Sequence, residues 1–162
     1  MEIKIRLARP EEAERLAQIE AECFPPAEAA SREAVLSRMK KFPENFLVAE
    51  EYGKVVGFIN GGTTDKPYLP DAFYHDINMH KPDGAYQTVF GLNVISPCRR
   101  RGIGEKLVRG FAALARERGK AGVVLTCKKE KIHFYEKCGF VNYGLSDSCH
   151  GGASWYDMRL IF

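Results

Sequence analysis

The stretch Arg99-Arg100-Arg101-Gly102-Ile103-Gly104 constrains this chain more than any other. An apolar run that reads as a strand (Val89 to Ile95) precedes it, and an amphipathic run that reads as a helix (Glu105 to Arg118) follows it. Two glycines in a tight turn at a helix N-terminus let several backbone N–H groups converge on one point, and the helix dipole adds partial positive charge there. Such a turn suits a pyrophosphate. Glycine also serves many strand-to-helix turns for backbone freedom alone. The three arginines ahead of the glycines tip the reading toward an anion, because a bound phosphate relieves their mutual repulsion.

A second segment is read together with the first. Leu125-Thr-Cys-Lys-Lys-Glu-Lys-Ile-His-Phe-Tyr135-Glu-Lys-Cys-Gly-Phe140 joins a β-branched strand (Val123 to Cys127) to a short helix (Lys131 to Cys138) ending at Gly139, with an aromatic closing the turn. The pair of motifs resembles the GNAT superfamily of acetyl-CoA-dependent N-acetyltransferases, the match falling on Arg99, Gly102, Gly104, Tyr135, Gly139 and Phe140. The resemblance implies an α/β GNAT fold, a mixed and mostly antiparallel sheet of about six to seven strands flanked by about four helices. It implies acetyl-CoA as the cofactor, with the coenzyme A pyrophosphate on Arg99, Arg100, Arg101, Gly102, Ile103, Gly104 and Glu105. It also implies main-chain contacts from Leu92, Asn93 and Val94 to the pantetheine arm, the Leu92 N–H near the thioester oxygen, and Phe134 beside the cofactor. Tyr135 matches the general acid that protonates the leaving thiolate.

Within that superfamily the chain is similar to arylalkylamine (serotonin-type) N-acetyltransferases, through Ile19-Glu-Ala-Glu-Cys-Phe-Pro25, Val56-Gly-Phe-Ile59, His80-Lys-Pro-Asp-Gly84 and Leu125-x-Cys127 in the same order. One departure is chemical. Those enzymes carry two catalytic histidines on the motif strand, and Thr88 and Phe90 stand at the equivalent positions here, where neither takes a proton at neutral pH. The base is therefore open among His75, Asp76, His80 and His150. Asp76 beside His75 comes first, because a carboxylate raises the basicity of an imidazole. A water chain from Thr88, or an amine that arrives unprotonated, are the alternatives. For the acceptor, the resemblance points to the loop Cys23 to Ser31 with Phe24 and Pro25, to Phe58 and Asn60, and to Trp155, which is equally suited to a core. Aromatic walls fit a small amine with an apolar body.

At 162 residues the chain reads as one domain, 1–162, able to bury roughly two-thirds of its unfolded surface. It shows no charged-then-apolar leader and no apolar run approaching ~18 residues, so the expectation is a cytoplasmic protein without a membrane partner. Five cysteines without Cys-x-x-Cys spacing argue against a disulfide framework and against a metal site. The net charge of +3 hides an asymmetry: residues 99 to 137 hold 12 Lys and Arg against 4 Asp and Glu, a net +8, which leaves −5 for the rest. An apolar helix and strand interrupt this basic half and no aromatic stacking series accompanies it, so a compact phosphorylated cofactor fits better than nucleic acid.

Alternation in Ile3 to Leu7 predicts a first strand, and Pro10 opens a helix through roughly Cys23 that Pro25-Pro26 stops. Ser31 caps a second helix through about Lys41. Phe46 to Glu50 and Lys54 to Gly61 form a hairpin around Tyr52-Gly53. Thr63 to Gly84 reads as a long functional or mobile loop. Phe140 to Leu145 and Ser154 to Ile161 supply the last strands. The expected activity is direct acetyl transfer from acetyl-CoA to a primary amine, arylalkylamine-like or polyamine-like, by a monomer or homodimer. A protein or peptide N-acetyltransferase and a non-catalytic coenzyme A-binding protein are the alternatives.

Overall fold

The computed structural model describes residues 2–162. The chain divides into two compact units: the segment up to Asn60 with Gly91–Phe111, and Gly61–Phe90 with Ala112–Phe162.

The first unit is a four-stranded antiparallel sheet, in the order β1 (Lys4–Leu7), β2 (Phe46–Glu51), β3 (Lys54–Asn60), β6 (Gly91–Val94). The expected β2–β3 hairpin forms, with Tyr52 and Gly53 both at positive φ, 55° and 77°. Register assigns the two faces. Phe46, Val48, Phe58, Asn60, Gly91 and Asn93 share one face, because Phe46 opposes Asn60, Val48 opposes Phe58, Phe58 opposes Asn93 and Asn60 opposes Gly91. On that side Phe42 stacks on Phe46, and Phe46 stacks on Phe58, with ring centroids 6.3 and 6.2 Å apart. Helices α1 (Ala13–Cys23) and α2 (Arg32–Lys41) supply buried Leu16, Ile19, Val35 and Met39. On the other face α3 (Ile103–Glu117) approaches Ile5 and Leu47 at Gly110.

Local chemistry explains the helix starts. Ser31 Oγ accepts the Ala34 N–H at 3.1 Å, the cap expected for α2. Pro10–Glu12 forms a 3₁₀ turn ahead of α1, where a single helix from Pro10 was expected. The turn is held because Glu12 Oε1 accepts the Arg9 N–H at 2.8 Å while the same carboxylate takes the Arg6 guanidinium at 3.0 and 2.7 Å.

The second unit is a five-stranded sheet in the order β4 (Thr63–Thr64), β5 (Tyr86–Thr88), β7 (Gly122–Cys127), β9 (Tyr156–Ile161), β8 (Val141–Leu145), antiparallel except for β5 with β7. Val123, Val124, Leu125, Phe140 and Met158 are buried. Helix α4 (Ile132–Lys137) completes the four helices that were expected.

The α/β fold and mostly antiparallel mixed pairing hold, but the strands lie in two sheets where one was expected. The run read as a single strand from Val89 to Ile95 is where they part. The Val89 N–H still bonds Val124 O of β7 at 3.1 Å, and two residues later Gly91 opposes Asn60 of β3. The expected loop Thr63 to Gly84 also holds structure: β4, and 3₁₀ turns at Asp71–Tyr74 and Ile77–Met79. Cys98, Cys127 and Cys138 are buried, Cys23 is half-buried, Cys149 is exposed, and all are free thiols. No described helix is long and apolar enough to cross a membrane.

Arg6 bridges Glu12 and Glu50, at 2.7 and 2.9 Å, with all three side chains largely covered. The Arg6 guanidinium holds the Glu12 carboxyl below the usual carboxylate range. The stability this gives is present above the ordinary carboxylate pKa and lost as pH falls through the depressed one. Arg6→Met should cost about 1–2 kcal/mol at pH 7 in denaturant unfolding. The gap from wild type should narrow below about pH 4.

Candidate active site

In the first unit the chain leaves β6, makes a 3₁₀ turn at Ser96–Cys98, and enters α3 through two left-handed residues, Arg100 at φ 64° and Gly102 at φ 80°. A Cβ at Gly102 would meet no atom within 4 Å. Crowding by the protein does not demand glycine there. The backbone angle does, and the open space in front of it lets a ligand oxygen approach the main chain. The Lys106 N–H is already bonded to Gly102 O at 3.1 Å. The preceding N–H groups of Ile103, Gly104 and Glu105 have no acceptor within the helix, by the geometry of a helix start. The turn thus has the form of a pyrophosphate cradle.

The three arginines differ. Arg101 forks onto the buried Glu51 carboxylate, with one contact of 2.9 Å from Nη1 to Oε1 and a second from Nη2 to Oε2, and holds that carboxyl below its usual range. One charge of the cluster is therefore compensated from inside the chain. Arg99 Nε donates to Val94 O at 2.8 Å, which folds this residue back along the turn. Arg100 is exposed, and Glu105 accepts from Arg109 at 2.8 Å.

β6 is the edge strand of its sheet. The Ile95 N–H bonds Val56 O at 2.9 Å, so alternation along an antiparallel pair turns the Gly91 and Asn93 main chain toward β3 and the Leu92 and Val94 main chain outward. Val94 O is taken by Arg99 and by the Cys23 thiol at 3.5 Å. Leu92 is left with an outward N–H, the group expected near a thioester oxygen. Of the expected acceptor residues in this unit, Phe24 is half-buried and Pro25 exposed. Phe58 is fully buried in the ring stack, and Asn60 is buried on the same face.

In the second unit Tyr135 lies on α4 between Phe134 and Phe140, edge-on to both at 5.0 and 5.6 Å. Burial pushes its phenol pKa up, with buried Cys127 adding to the shift. Burial likewise pushes the Cys127 thiol up to about 12.

The expected base candidates fall into different surroundings. His80 is buried, and its Nδ1 accepts the Thr63 N–H at 3.0 Å, which commits it to the fold. Asp76 and His75 are exposed, and Asp76 Oδ1 accepts the Asn78 N–H at 3.0 Å to cap the second 3₁₀ turn. Thr88 is buried and donates to Gly62 O at 2.8 Å. Phe90 packs edge-on against Phe73.

An aromatic group gathers around His150 that sequence reasoning found only in part. Tyr74 stacks on His150 at 4.7 Å, His75 and Trp155 lie 5.8 and 5.9 Å from it, and Phe90 leans on Tyr74 at 5.5 Å. The Trp155 indole N–H donates to His150 O at 2.7 Å, and Tyr74 and Thr126 share a hydrogen bond at 3.2 Å. Tyr74 sits in the segment that was read as a loop without periodicity, and no local pattern announces a stack between residues so distant in sequence. No group of residues that could hold a metal occurs among the described residues.

Comparison with known proteins bears on the fold and the family. A probable hydrolase of Bacillus subtilis (strain 168) is 26% identical over 140 residues, covering 81% of this chain and 27% of that protein. Glucosamine 6-phosphate N-acetyltransferase 1 of Oryza sativa subsp. japonica is 46% identical over 48 residues, 30% of this chain and 29% of that protein. The chain spans less than a third of the length of these relatives. Among solved structures, the GphF GNAT-like decarboxylase in complex with isobutyryl-CoA superposes with a TM-score of 0.83 at 22% identity, over 98% of both chains. The family model described as the acetyltransferase (GNAT) family matches residues 13–140, which contain the turn, β6 and α4 alike, and the chain belongs to that family.

Proposed function

We propose that this chain is an N-acetyltransferase, one catalytic domain over residues 1–162, that moves the acetyl group of acetyl-CoA to a primary amine of the arylalkylamine-like or polyamine-like kind. The observation that carries the reading is the open left-handed turn at Gly102, set at the N-terminus of a full-length helix. Acetyl-CoA supplies the activated thioester.

The N–H groups of Ile103, Gly104 and Glu105 bind the pyrophosphate, and Arg99 and Arg100 add positive charge. The outward N–H of Leu92 donates to the thioester oxygen and stabilises the charge that develops there. The amine loses its proton as its nitrogen bonds the acetyl carbon. Tyr135 gives its phenolic proton to the departing sulfur. Its raised pKa keeps the phenol protonated across the neutral and mildly alkaline range, so the acid form is always available. The site is poor in base: His75 beside Asp76 is the first candidate to take that proton, and no imidazole sets the rate. Both are exposed, so the amine's own ionisation carries much of the pH dependence.

Measuring acetyl-CoA consumption with phenethylamine, 1,4-diaminobutane and glucosamine 6-phosphate tests the reading directly. Turnover with one of the first two is expected, and an unchanged thioester pool with all three would contradict it. Gly102→Val forces a β-branched residue to positive φ. In calorimetry, coenzyme A affinity should fall by about 100-fold or more while the protein stays folded. Unchanged affinity would remove this turn as the site. Tyr135→Phe should lower kcat by on the order of 10- to 10,000-fold with coenzyme A affinity nearly intact. Equal loss of binding and rate would mark Tyr135 as a packing residue. In a pH series the rate should keep rising above about pH 8 with no inflection near ~6.5. An inflection between roughly pH 6 and 7.5 that His75→Ala abolishes would show that the imidazole sets the rate.

A further inference from the structure

Glu51 ends β2 at the hairpin, and its side chain is only 8% exposed. Its carboxylate collects donors from the turn that enters α3. Arg101 Nη1 donates to Oε1 at 2.9 Å and Nη2 donates to Oε2, while the buried Cys98 thiol donates to Oε1 at 4.0 Å. These donors lie 50 and 47 positions further along the chain, within the same unit. Arg99 is tied as well, by its Nε on Val94 O at 2.8 Å. The left-handed Arg100 therefore stands between two anchored residues, and the left-handed Gly102 directly follows the second of them.

A covered carboxylate at the foot of an anion site needs a reason. Its charge repels the phosphates that the turn is proposed to take, and such repulsion is screened least where water is excluded. Stability alone is a weak reason, because a buried ion pair exchanged for apolar side chains of similar size is often neutral or stabilising. Position is a stronger one. A bidentate fork fixes the plane of a guanidinium as well as its distance, so Glu51 sets where Arg101 lies and, with the Arg99 anchor, holds the left-handed backbone from both sides. A binding loop ordered before its ligand arrives loses less entropy on binding.

We propose that Glu51 is a positioning residue for the coenzyme A pyrophosphate. It holds Arg101 off the phosphates and, through Arg101, keeps Arg100 and Gly102 at positive φ, so that the first N–H groups of α3 are set for the ligand in advance. Glu51 touches no ligand itself. The inference rests on the reading of this turn as the pyrophosphate site.

The sign of one measurement separates positioning from charge. Glu51→Gln keeps the volume and removes the negative charge, so electrostatics alone makes coenzyme A bind tighter, since repulsion is lost and Arg101 is released toward the phosphates. Positioning gives the opposite. In calorimetry Glu51→Gln should weaken coenzyme A by about tenfold or more, the scale of one lost charge-assisted hydrogen bond. The double variant Glu51→Met with Arg101→Met separates positioning from stability, and it keeps the test open if Glu51→Gln does not fold. Its Tm should equal or exceed that of wild type, because the pair is replaced by apolar side chains of similar length. Its coenzyme A affinity should nevertheless fall by about tenfold or more. Unchanged or tighter coenzyme A in Glu51→Gln, or wild-type affinity in the double variant, overturns the proposal. A lowered Tm in the double variant assigns the pair to stability and overturns it as well. Failure of the underlying reading is a separate result: wild type then binds no coenzyme A, or Gly102→Val binds it as wild type does.

Discussion

The left-handed pair Arg100 and Gly102 at the start of α3 is the constraint on which the functional account depends. Backbone at positive φ is unfavourable for residues other than glycine, and an exposed arginine held there has no packing reason of its own. The strain is tolerated because the flanking structure over-determines the turn. Arg101 is clamped to Glu51 on β2, Arg99 folds back on Val94, and α3 is anchored by buried Ile103, Leu107 and Phe111. What remains is a helix start whose first main-chain N–H groups have no acceptor within the helix, next to the exposed Arg100. Within six residues Arg101 serves the fold, and the peptide groups from Gly102 onward are the ones proposed to meet a ligand.

The same division of labour recurs along β6. One edge of the strand is consumed by β3, which fixes Gly91 and Asn93 toward the sheet, and the other edge presents Leu92. Alternation then sends the Asn93 side chain to the α1 face, where it is buried without a partner. A polar residue at such a position weakens a core that an apolar one would complete, and it sits beside main chain argued to touch the substrate. Tyr135 shows a related compromise in the second unit, since burial makes the phenol a weaker acid but guarantees its proton.

Much of this was legible in the sequence because it is local. The glycine turn, the inward stripe of α3, the Ser31 cap and the Tyr52-Gly53 hairpin all depend on residues within a few positions of one another. What escaped reading is set by distant pairings. The expected strand from Val89 to Ile95 is shortened to β6 because its start and its remainder have different partners, Val89 bonding Val124 and Gly91 opposing Asn60. The segment from Thr63 to Gly84 has no periodicity, yet it is tied down by Lys81 N–H to Thr63 O at 2.9 Å and by the buried His80. Neither bond has a sequence pattern. The Arg101–Glu51 pair spans 50 positions, so the arginine cluster read as three charges awaiting an anion when one of them is already neutralised.

The most direct test of the central claim is an amide NMR titration of the protein with coenzyme A. If the turn is the pyrophosphate cradle and β6 the pantetheine edge, the backbone N–H resonances of Gly102, Ile103, Gly104, Glu105 and Leu92 shift together with one apparent affinity, while those of the buried β2 strand stay in place. Saturable shifts that leave Gly102 to Glu105 unmoved would contradict the account.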